Sequence, residues 1–182
     1  MRQLVLVLGC ILIMSSVTFG EMEKFTMPND RGLSPHWWPI VSAPPGWYHD
    51  RDMSLQLGVN AFVPLGSTFV NAETIMYAKA VYMPREPGAK SLAAFIKSDQ
   101  KEFLAHRPGI VVKAAAAVLT GDGASLKSFT FFPASTGNWE RVAYGEEGEY
   151  YLVFAVSSGS LRDYRACVKS FERMVGGYKA KP

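Results

Sequence analysis

The chain has 182 residues, nearly half of them hydrophobic (48%), with 19 Lys and Arg against 16 Asp and Glu, a formal net charge of +3. That length suits one domain able to bury a sizeable core. With so small a charge and its basic residues scattered, the chain lacks the footprint of a nucleic-acid or anionic-surface binder.

Residues 1–20 read MRQLVLVLGCILIMSSVTFG: one Arg, an uncharged apolar run from Leu4 to Met14, and a small-residue exit at Thr18 and Gly20. The run is shorter than the ~20 apolar residues that a membrane helix needs, so it predicts a signal peptide cleaved after Gly20. The exported product is expected to be periplasmic or secreted, with no integral membrane span. Val7-Leu8-Gly9-Cys10 loosely matches a lipid-attachment pattern. Cleavage before Cys10 would strand Ile11 to Met14 on the exported chain, so lipid anchoring through Cys10 is not expected. Once Cys10 leaves, Cys167 is the sole cysteine and no internal disulfide is possible.

From residue 21 to 47 the chain carries Met27-Pro28, Ser34-Pro35, Trp38-Pro39 and Ala43-Pro44-Pro45-Gly46. Prolines at that density predict an irregular, aromatic-rich N-terminal arm rather than helix or central strand. Residues 48–182 then form a single domain. Leu55-Gln56-Leu57-Gly58-Val59 alternates like a strand, Phe62 to Gly66 closes it, and Ile75 to Met83 is a long β-prone run ended by Pro84.

Ser91 is placed to cap a helix whose face carries Leu92, Phe95, Ile96, Phe103 and Leu104, stopped by Pro108-Gly109. Two hairpins follow. Ile110 to Thr120 and Ser125 to Phe132 flank Gly121-Asp122-Gly123, and Trp139 to Tyr144 and Tyr150 to Ser157 flank the acidic Gly145 to Glu149, expected as a solvated tip. Leu161, Tyr164, Val168, Phe171, Met174 or Val175, and Tyr178 give a closing amphipathic helix, with Ser160 and Asp163 resembling a capping box. Hairpins imply antiparallel pairing, and two amphipathic helices need a sheet to cover. The expected fold class is α+β, a central antiparallel sheet flanked by helices in an α-β-α sandwich.

Phe62-Val63-Pro64, Ser91-Leu92-x-x-Phe95-Ile96, the segment from Arg141 to Phe154, the Ser157-Ser158 pair and the closing Phe171-x-x-Met174-Val175-x-x-Tyr178 together resemble the PsbP-like superfamily, including its bacterial DcrB-like exported members. The resemblance spans roughly residues 55 to 178. It implies an α-β-α sandwich used chiefly as a non-enzymatic binding or assembly module. No metal-site or partner-contact motif of the plant relatives is matched residue by residue.

The sequence lacks the Gly-x-Ser-x-Gly elbow, the phosphate loop, Gly-x-Gly-x-x-Gly, His-Glu-x-x-His and Cys-x-x-Cys. Ser157-Ser158-Gly159-Ser160 reads as a strand end and helix cap, and Cys167 as a buried, inert thiol. His49-Asp50-Arg51-Asp52, with His36, has ligand-like composition, but adjacent residues on extended chain diverge and Arg51 repels a cation. Neither metal nor cofactor is expected; His36, His49, Asp50 and Asp52 are the alternative metal set. The expected function is non-catalytic: extracytoplasmic binding of a protein or envelope component through Trp37, Trp38, Trp47 and Tyr48, large rigid surfaces on a proline-stiffened arm. The alternative is a small-ligand or metal-binding protein, or an enzyme, whose site is assembled from dispersed residues. A deep pocket with convergent polar groups would favour the alternative.

Overall fold

The computed structural model describes residues 22–30, 32–134 and 137–180. The expected signal peptide, with Cys10, lies outside the described residues. The strands are β1 (Met22–Asn29), β2 (Gly32–Pro39), β3 (Trp47–His49), β4 (Asn60–Pro64), β5 (Thr74–Tyr82), β6 (Val111–Leu119), β7 (Ser125–Phe132), β8 (Trp139–Glu147) and β9 (Tyr150–Ser158). The helices are α1 (Arg51–Leu57), α2 (Leu92–His106) and α3 (Leu161–Gly176). The fold is α+β, one large antiparallel sheet in the order β1-β2-β5-β9-β8-β7-β6. β5 carries two branches on one edge: β2 meets it at Trp37↔Ala80, and β4, backed by β3, meets it at Asn60↔Ala78 through Phe62↔Met76. Asn60 Nδ2 donates to the Pro39 carbonyl (3.1 Å) and ties the branches together.

Strand alternation divides the core into two layers. Leu152, Phe154 and Val156 of β9 face α3, which buries Tyr164, Cys167, Phe171, Met174 and Val175 at helical spacing. Tyr151, Val153 and Ala155 face the other way, toward Phe95 and Ile96 of α2. Both helix starts are as expected: Ser91 Oγ accepts from Ala94 N–H, and Ser160 Oγ accepts from Asp163 N–H while donating to the Asp163 carboxylate. Among the described residues no helix is long and apolar enough to cross a membrane.

Three local expectations need correcting. The supposedly irregular arm is mostly strand: β1 and β2 form a hairpin at the sheet edge, where prolines without an N–H are tolerated. Leu55 to Leu57 is helix, because Asp50 Oδ1 caps Met53 N–H (3.1 Å) and Gly58, at φ 72°, supplies the left-handed stop. Five residues of alternation cannot compete with both signals. Gly121-Asp122-Gly123 is also more than an open tip. Gly121 N–H donates to the Tyr178 carbonyl (2.6 Å) and Ala180 N–H to Asp122 Oδ2 (3.1 Å), so the turn is clamped by the end of the chain.

A methyl added at Gly121 would lie 2.5 Å from the Gly176 carbonyl oxygen, whereas one at Gly145 would meet only the end of the Leu126 side chain at 2.5 Å. Backbone cannot step aside as a side chain can. Gly121→Ala is expected to cost ~1–3 kcal/mol as overpacking and Gly145→Ala less, measured by urea denaturation. The reverse order would show that the clamp is loose.

Candidate functional site

Trp38 is fully buried; its indole N–H donates to Glu23 Oε2 (3.1 Å) and its ring lies 4.1 Å from that of Phe25. Trp37 is half-buried, in a cluster with Tyr82 and Tyr150, with Lys24 and Arg85 over its ring. Trp47 lines an open groove with Pro64, Asn71, Arg162 and Cys167, and the Tyr48 hydroxyl donates to the Ser67 carbonyl (2.9 Å).

His36, His49, Asp50 and Asp52 are not gathered around a common point. His36 stacks on Phe25, Asp50 caps α1, and His49 Nε2 lies 3.0 Å from Ser54 Oγ. No group of three or more His, Cys, Asp or Glu able to hold a metal occurs among the described residues. The His49–Ser54 pair is no nucleophile and base either. Ser54 is fully buried, its hydroxyl donates to the Asp50 carbonyl (2.6 Å) and accepts from Ala61 N–H (2.8 Å), so it is a structural pin between α1 and β4. Burial pushes the Cys167 thiol up to about 11, which keeps it protonated and unreactive at neutral pH.

Chemistry converges elsewhere. The first half of α2 is anchored by Phe95 and Ile96, but its second half spans a cavity of about 420 Å³ over the sheet. Ile75, Tyr77 and Lys79 of β5, Val153 and Ser157 of β9, Glu140, Val142 and Tyr144 of β8 and Phe131 of β7 form its floor. Asp99, Glu102, Phe103, His106 and Arg107 form its roof. The floor residues are two apart along each strand because only alternate side chains share a face.

Two ion pairs flank the cavity. At one end Arg107, the residue that ends α2 before Pro108, reaches over the Phe103 ring and donates to Glu140 Oε1 (2.6 Å). Ser157 Oγ donates to the same oxygen (3.1 Å) and receives Asn138 Nδ2 (2.9 Å). At the other end Asp99 accepts the Tyr144 hydroxyl (2.7 Å) and stands 3.8 Å from Lys79 Nζ. Between them sits Tyr77, whose hydroxyl has no hydrogen-bond partner among the described residues. Burial raises both phenols well above the usual tyrosine range, and the carboxylates of Glu140 and Asp99 add to the effect. Burial likewise raises Glu140, against the opposing pull of Arg107.

The sign of that shift is testable. A carboxyl whose folded pKa lies above its ordinary 4.5 contributes stability below pH 4.5 that is lost as pH rises toward the folded value. Wild type should therefore lose stability relative to Glu140→Gln as pH rises from 4.5, read by urea denaturation at successive pH values. Comparison with the variant matters because His36 and His49, both lowered by burial, tilt the background the other way below pH 6.5. A wild type that gains on the variant over that window would reverse the assignment.

These residues could not be picked out by a sequence motif, since they come from four strands and a helix. One signal was legible: Glu140-Arg141 is a charged pair inside an otherwise apolar strand pattern. The two point to opposite faces. Arg141, also buried, donates to Ser128 Oγ (3.1 Å), the Ala116 carbonyl (2.8 Å) and Glu172 (2.9 Å) on the α3 side.

No protein-family model and no curated protein matches the chain. A solved structure does. PA94 from Pseudomonas aeruginosa, a protein of unknown function suggested to be a regulator, aligns at a TM-score of 0.50 with 12% identity, over 87% of this chain and 98% of its own. The likeness is one of fold.

Proposed function

We propose that this chain is a non-catalytic binding protein that holds a small polar solute in the cleft beneath α2. The observation that supports this most is the convergence of Tyr77, Asp99, Glu140 and Tyr144 around a half-open space of about 420 Å³ beside Phe103 and Phe131. Ligand sites commonly combine an apolar wall with a few placed polar groups in a volume of roughly 300–1,000 Å³. The reading takes the chain to be an extracytoplasmic member of the PsbP-like group, on the resemblance of its strands and closing helix and the signal-like residues 1–20. Contacts with a larger partner are a second reading, favoured by the half-buried Trp37, Tyr82 and Tyr150 cluster under Lys24 and Arg85.

The cleft is tested by nuclear magnetic resonance of the exported form against a mixed library of small cations, anions and neutral solutes. Saturable shifts confined to Ile75, Val142, Val153 and their neighbours are expected, and Ile75→Phe, which fills the floor, should remove them. A library that leaves those signals unmoved would overturn the ligand reading.

A further inference from the structure

The cleft's unused hydrogen-bonding capacity specifies what it would hold, given that it is a ligand site at all. Glu140 is 3% exposed, yet both of its bonds, from Arg107 and Ser157, arrive at Oε1. Its other oxygen, Oε2, receives no donor from any described residue. Glu140 and Tyr77 both line the cleft, and Glu140 Oε2 and the Tyr77 hydroxyl have no partner there among the described residues. Asp99 adds a further acceptor, since Lys79 Nζ stands beyond hydrogen-bond distance at 3.8 Å.

Carboxylate acceptors thus face the cleft from floor and roof, the Tyr77 hydroxyl between them can donate or accept, and the cationic donors are committed or peripheral. Arg107 is held by Glu140 with about half of its side chain in solvent, and Lys79 is one-third exposed on a flexible stem. Three acids, Asp99, Glu102 and Glu140, face two permanent bases, Lys79 and Arg107, across the lining. His106 Nδ1 is turned back onto the Glu102 carbonyl (2.9 Å), away from the pool of donors. The partly exposed rings of Tyr77 and Phe103 complete a surface suited to a cation.

We infer that the solute is a small organic cation, an amine or guanidine, whose N–H groups bond Glu140 Oε2 and Tyr77 and whose apolar part rests on Phe103. An anion would meet the unpaired carboxylate oxygen instead, and a neutral alcohol would leave most of that oxygen's demand unmet.

Benzylammonium, benzyl alcohol and benzoate present one ring with three head groups, and each is titrated into the full exported chain with the cleft signals as readout. Benzylammonium should bind about tenfold or more tightly than either analogue, the equivalent of one charge-assisted hydrogen bond. Glu140→Gln should erase that preference, and Tyr77→Phe should weaken it while leaving the denaturation midpoint nearly unchanged. If Glu140→Gln fails to fold, the ranking on wild type and on Tyr77→Phe decides. Benzoate or benzyl alcohol binding the cleft as well as benzylammonium overturns the cation assignment but leaves the ligand site standing. Silence from all three, together with silence from the mixed library, removes the site and the assignment alike.

Discussion

Trp38→Ala is expected to destabilise the protein by ~3–5 kcal/mol, the cost of emptying a fully buried large aromatic site. The indole fills the seam between Phe25 of β1 and His49 of β3, and its N–H satisfies Glu23, which is also paired with Arg51 at 2.8 Å. Removing the ring leaves a cavity and takes a donor from that carboxylate. Trp37→Ala should cost less, about 1–2 kcal/mol, since Trp37 is half-exposed and contributes chiefly ring contacts with Tyr82 and Tyr150. Urea denaturation of the two variants separates the roles of adjacent tryptophans. Equal and small losses would mean that the hairpin is not fastened by Trp38, and would return both rings to the list of recognition surfaces.

Phe171→Ala is the second large effect, again ~3–5 kcal/mol. Phe171 is fully buried at the centre of the α3 stripe, and the Arg141 guanidinium carbon lies 5.9 Å from its ring centroid. The truncation therefore loosens both the helix and the polar cluster of Arg141 with Ser128, Ala116 and Glu172. Lys169→Ala, two residues away on the exposed side, should stay within about 0.5 kcal/mol of wild type. A Phe171→Ala loss well under 1 kcal/mol would place the wrong face of α3 against the sheet.

The stripe of α3 was readable because a helix repeats its buried face every three or four residues within one stretch of sequence. So were β5 to β7, β9 and the Ser91 and Ser160 caps, each written in local pattern, whereas β8 runs on through Gly145, Glu146 and Glu147, expected as turn. The β1–β2 hairpin was hidden by its prolines, which forbid central strands but not an edge. α1 was hidden by Leu55-Gln56-Leu57, whose alternation is too short to outweigh Asp50 and Gly58. The cleft was hidden for a different reason. Tyr77, Asp99, Glu140 and Tyr144 are brought together by strand register and by where α2 crosses the sheet, and neither is encoded by any spacing along the chain. His49 and its neighbours drew attention because they are adjacent in sequence, which in extended chain points them apart.

The opposite charges at Glu140 and Arg141 have a consequence for how β8 finds its place between β7 and β9. A slip of one residue would turn every side chain of β8 to the other face. It would carry Arg141 up against Arg107 and press Glu140 toward Glu172 and the Ala116 carbonyl, two like-charge encounters. An apolar pair at these positions would be nearly indifferent to such a slip. The two buried charges thus act as a key that only one alignment of the strand accepts, so the geometry of the cleft is fixed from the opposite face of the sheet.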